Sequence, residues 1–220
     1  MWNLVAENTT FLLSQMMEEL SVEFQHINVK LLLQDPENVD LEAVIPVFHS
    51  WIQDQVCDEL LLDVAEYGHL KAGPGIVLIG HEADYSIDST DHRLGLRYNR
   101  KAVLEGNNQE RLEQAVRAAL SALERLEHEP GFKGKLRFNG RDIEVFVNDR
   151  LLAPNRAESR EQLERELQTL LAKLLAGEDY SFSYESDPRR LLTVRIKLGR
   201  DFSTADLVKN LGPGRIEQLS

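Results

Sequence analysis

Residues 58–101 constrain the fold of this chain more than any other part of it. They read DELLLDVAEY, GHLKAGPG, IVLIGHEADYSID, STDH and RLGLRYNRK, apolar and aromatic runs separated by turn residues. Runs of Leu, Ile, Val and Tyr bounded by Gly, Pro, Asp and Ser are the mark of paired strands. Gly73-Pro74-Gly75 and Asp88-Ser89-Thr90-Asp91 supply two breaks, so three successive strands are expected.

The middle run carries the most chemistry. Strand side chains alternate, which puts Val77, Ile79, His81, Ala83, Tyr85 and Ile87 on one face. Leu78, Gly80, Glu82, Asp84, Ser86 and Asp88 fall on the other. His81 is then the one polar group on an apolar face, with Gly80 leaving space beside it for a neighbouring chain or a ligand. It reads either as a hydrogen-bonded core histidine or as the centre of a site.

In the second reading His81, Glu82 and Asp84 are the candidate catalytic residues, because an imidazole near carboxylates can move protons. His81, His69 and Asp63 are the candidate ligands of a divalent zinc, manganese or iron. Adjacent strand residues point to opposite faces, so His81 and Glu82 share a metal only across a bulge. The segment beginning His81-Glu82 opens like a zinc-protease helix but lacks the second histidine and lies in a strand. Phosphate-loop, dinucleotide, GxSxG and paired CxxC motifs are absent.

Arg97, Tyr98, Arg100 and Lys101 form a basic cluster at the end of a strand, a candidate site for an anion or an acidic partner. The same cations are also placed to pair with the carboxylates of neighbouring strands. Their setting matters because the charge is uneven. Residues 1–105 hold 6 Lys or Arg against 18 Asp or Glu, while residues 106–220 hold 19 of each, so the net charge of −12 sits in the first half. Such a surface repels phosphate backbones and argues against nucleic acid as a partner.

Along the rest of the chain, residues 9–24 show helical spacing, with Asn8 or Thr9 as a cap. Residues 26–34 read as a strand, and a helix is expected from Pro46 to Cys57. Leu112, Val116, Leu120 and Leu123 mark a helix over 109–127, and Leu163, Leu167, Leu170 and Leu174 another over 158–176 with Gly177 as its stop. Asn139-Gly140 reads as the two-residue turn of a hairpin between 135–138 and 143–148. A second hairpin is expected between 180–185 and 191–198 across Ser186-Asp187-Pro188, then a short helix over 203–211.

These patterns predict an α+β fold, mostly antiparallel sheets covered by long amphipathic helices. They divide the chain into an acidic, histidine-rich half, 1–130, and a hairpin–helix–hairpin half, 131–220, which could also pack as one domain. No apolar run approaches a membrane span, and no secretory signal is visible. Cys57 has no partner for an intramolecular disulfide, which fits a reducing, cytoplasmic setting.

The functional expectation is a soluble, non-catalytic binding or regulatory module. Its acidic N-terminal surface would recognise a protein partner or small ligand, or a second copy of itself, without a cofactor. The alternative is a metal-dependent enzyme, such as a hydrolase, centred on His81 and using a divalent ion.

Overall fold

Strand β1 (Ile27–Leu33) is buried at all seven positions, which sets the architecture around it. Ile27, Val29, Leu31 and Leu33 stand on one side and Asn28, Lys30 and Leu32 on the other. β1 also lies inside the sheet, with a neighbour along each edge. In the computed structural model, which describes residues 22–67, 73–132 and 134–213, it pairs antiparallel with β5 (Gly95–Arg100) and β6 (Phe138–Val147).

The remaining strands among the described residues are β2 (Leu61–Glu66), β3 (Ile76–Gly80), β4 (Ala83–Asp88), β7 (Tyr180–Tyr184) and β8 (Leu192–Leu198). Together they make one eight-stranded antiparallel sheet in the order β2-β3-β4-β5-β1-β6-β8-β7. The fold is therefore α+β, with the β1–β6 pairing carrying the sheet from the first half of the chain into the second. The described helices are α1 (Val44–Asp54), α2 (Asn108–His128), α3 (Ala157–Leu174) and α4 (Thr204–Leu211). α2 lies against β1 and β5, α1 against β2 and β3, and α3 against β8.

Local chemistry explains the helix ends. Asn107 and Glu110 form a reciprocal capping box at the start of α2, and Ser203 and Asp206 do the same for α4. Pro46 is the third residue of α1, where its missing N–H removes no intrahelical bond. One apolar cluster joins sheet and helices: Val29, Leu31, Leu96, Ile143 and Val145 from the strands meet Phe48, Leu112, Leu120, Leu123 and Leu167.

Three expectations change in three dimensions. The run 76–88 is two strands, not one: Ile79 pairs with Asp84, leaving His81 and Glu82 as a two-residue hairpin loop. Gly80 permits the reversal, since a Cβ there would sit 2.4 Å from the Ala83 carbonyl oxygen. Asn139-Gly140 does not turn a hairpin but bulges β6, where Leu31 pairs with Ile143 and Leu33 with Phe138. The Asn139 Oδ1 accepts from the Arg141 and Asp142 amides at 2.9 Å, and Gly140 takes φ +79°. An Asn-Gly pair signals left-handed backbone, which a bulge uses as readily as a tight turn. Third, Val22, Glu23 and Phe24 are not helical. The rest of the N-terminal helix expected over 9–24 lies outside the described residues, as does His69.

Candidate functional site

The alternation of β5 divides the basic cluster between the two sides of the sheet. Tyr98 and Arg100 face the helices, while Arg97 and Asn99 face the other way. Tyr98 is fully buried, packs edge-on against Tyr85 at 5.3 Å between ring centroids, and its hydroxyl accepts from the Gln114 amide at 3.0 Å. Arg100 Nη1 lies 2.9 Å from Glu82 Oε2, and Lys101 Nζ lies 2.6 Å from Asp84 Oδ1. The carboxylates singled out for catalysis are thus counter-ions of the cations singled out for binding.

His81 is exposed in the β3–β4 loop, not on an apolar face between Ile79 and Ala83. Placement on that face needs an extended chain through residues 80–83, and the chain reverses there. The His81 amide donates to the Leu60 carbonyl at 2.8 Å. Asp63 is exposed on β2, where its Oδ1 accepts from the Val64 amide at 2.8 Å. Among the described residues no group of three or more His, Cys, Asp or Glu is arranged to hold a metal ion.

The space beside Gly80 is taken by Glu59, whose Cγ would lie 3.1 Å from a Cβ at that position. Glu59 is buried, and its Oε1 has no hydrogen-bond partner among the described residues. Burial raises its carboxyl pKa, an effect partly offset by a hydrogen bond from Tyr85. Burial, reinforced by the Glu59 charge, pushes the Cys57 thiol up to about 12. Cys57 is therefore held as a thiol and is a poor nucleophile.

The side of the sheet facing away from the apolar cluster carries a charged row. Ser86, Arg97, Lys30, Glu144 and Arg195 stand directly opposite one another across β4, β5, β1, β6 and β8. Lys30 and Asp88 are each about 1% exposed and meet at 2.5 Å, with the lysine also donating to the Thr90 carbonyl. Burial lowers the Lys30 pKa while Asp88 opposes the shift. Glu144 receives Arg93 at 2.6 Å and Arg195 at 3.3 Å. Sequence reasoning missed Lys30 and Asp88; the only signal was a lysine inside a run otherwise rich in apolar residues.

At the sheet margin, β2 presents a different surface. Leu60, Leu62 and Tyr67 are 57%, 50% and 41% exposed. Asp54, Asp58, Asp63 and Glu66 surround them in sequence, all exposed. The five described Lys and Arg residues of 1–105 are all in ion pairs: Lys30, Arg93, Arg97, Arg100 and Lys101. None of those pairs involves the β2 carboxylates. The edge backbone is partly closed, since the Gln55 side chain both donates to the Leu61 carbonyl and accepts from the Leu61 amide, each at 3.2 Å.

No protein-family model matches this chain, and comparison with curated proteins finds no relative.

Proposed function

We propose that this protein is a non-catalytic binding module that recognises a protein partner through the acidic β2 margin of its N-terminal half. The observation that carries the reading is the pairing of exposed leucines with carboxylates that make no ion pair among the described residues: Leu60 and Leu62 beside Asp58, Asp63 and Glu66. Exposed apolar side chains rimmed by charge mark interaction surfaces. The charge selects a basic partner and speeds its encounter, while the leucines supply contact area. With Leu61 already capped by Gln55, side chains rather than backbone strand addition make the contact.

The test is a titration of the full chain with a ten-residue peptide of alternating lysine and leucine, followed by backbone amide shifts. Shifts confined to residues 58–67, weakened by salt and lost in a Leu60→Ser/Leu62→Ser variant, support the reading. Binding that survives the double substitution, or shifts spread evenly over the acidic half, would refute it.

A further inference from the structure

The polar side of β1 holds a buried group that the fold does not use. Asn28 is 0% exposed, and neither its Nδ2 nor its Oδ1 has a hydrogen-bond partner among the described residues. An unpaired buried carboxamide is destabilising, and an apolar residue would suit the position better on packing grounds alone. What roofs it can be read from the register. Asn28 stands opposite Asn99 on β5 and Phe146 on β6, and Lys30 opposite Arg97 and Glu144. The Arg97 guanidinium carbon lies 4.9 Å from the Phe146 ring centroid, although the two residues belong to strands on either side of β1. The arginine side chain therefore crosses β1, over Asn28 and Lys30. Its own Nε is buried and has no hydrogen-bond partner among the described residues.

The roof is held loosely. Arg97 has the cation–π contact and an ion pair to Asp88 at 3.6 Å, while Asp88 keeps its closer partner Lys30 at 2.5 Å. Its side chain is 20% exposed, and the closer Lys30–Asp88 pair is made without it. Lifting it uncovers a donor and an acceptor side by side on Asn28, next to the face of an aromatic ring.

We propose that Asn28, Phe146 and Arg97 form a closed site for a small planar nitrogen heterocycle whose edge places a hydrogen-bond donor next to an acceptor. The Asn28 carboxamide pairs with that edge, as it does with adenine in nucleic-acid recognition. Phe146 stacks on the ring, and Arg97 is the gate. This small-molecule site is separate from the β2 surface and does not depend on it.

The test uses the full chain, labelled with ¹⁵N, and follows the Asn28 side-chain amide during titration with adenine. Purine, which lacks the amino donor, is the control. Adenine is expected to shift the Asn28 amide and to bind at least about tenfold more tightly than purine. Arg97→Ala removes the gate and should tighten adenine binding several-fold, because the open state no longer has to be reached first. Asn28→Val should abolish binding while leaving Tm unchanged or higher. Adenine leaving the Asn28 amide unmoved in both the wild type and Arg97→Ala overturns the proposal. So does a lower Tm or failure to fold in Asn28→Val, which would make the carboxamide a structural element.

Discussion

Val29 and Lys30 are neighbours on β1 and equally buried, at 0% and 1% exposure, yet they are buried by different means. Val29 belongs to the apolar cluster that includes α2, where stabilisation grows with the area removed from water. Lys30 lies among side chains that reach over it from adjacent strands, and its charge is tolerated because Asp88 meets it. A buried ion pair roughly breaks even against desolvation, so the polar side adds little net stability while intact. It becomes costly when half of it is removed. The apolar side degrades in proportion to what is deleted; the polar side fails by leaving a charge alone.

The largest effect is expected from Lys30→Ala. It strands Asp88 in a buried site and should destabilise by about 4 kcal/mol in urea unfolding. The double variant Lys30→Met/Asp88→Leu should return to within about 2 kcal/mol of the wild type, or exceed it. A single variant no worse than the double would show that the pair is not carrying a buried charge. On the apolar side, Leu120→Ala should cost about 3 kcal/mol through lost contact and a cavity, with no compensating partner change available.

Glu59 tests whether the apolar side tolerates a carboxylate. Burial raises its pKa in the folded chain above the unfolded value, so the folded state binds the proton more tightly. The destabilisation from its charge is fully present above the raised pKa and fades as pH falls through it. Glu59→Gln should therefore stabilise by about 1 kcal/mol near neutral pH, with the advantage shrinking on acidification. Denaturation midpoints measured from about pH 7.5 to about pH 5 check this, and an advantage that grows toward acid contradicts it. The smallest effect belongs to His81, which neither side holds. His81→Ala should change stability by less than about 0.5 kcal/mol. A loss of several degrees in Tm would mean that the loop imidazole has a partner in the folded chain.

Much of the fold was legible in local pattern. The boundaries of β1, β5, β7 and β8 and of α2, α3 and α4 follow from apolar spacing and punctuation, because each is set by residues near in sequence. Where one local signal served two geometries, reading by pattern alone stopped short. Asn139-Gly140 permits left-handed backbone, and the pairing of β6 with β1 used it for a bulge rather than a turn. Gly80 marked a close approach, but only the packing of Ala83 and Glu59 against it converts the run 76–88 into a hairpin.

The site residues divide along the same line. That Arg97, Tyr98, Arg100 and Lys101 form a basic cluster is a property of their order in the chain. That Tyr98 and Arg100 turn toward the helices while Arg97 crosses β1 depends on which strands flank β5 and β1. Lys30 stood out only as a lysine in an apolar run, and Asp88 and Asn28 carried no legible signal, because burial and partnership are relations between distant segments. Lys30 and Asp88 are 58 positions apart and meet only because β4 and β1 flank β5 in the sheet. Spacing tells which side of a strand a residue takes, but what lies across from it is decided by the pairing order, where charge, desolvation and contact are settled together.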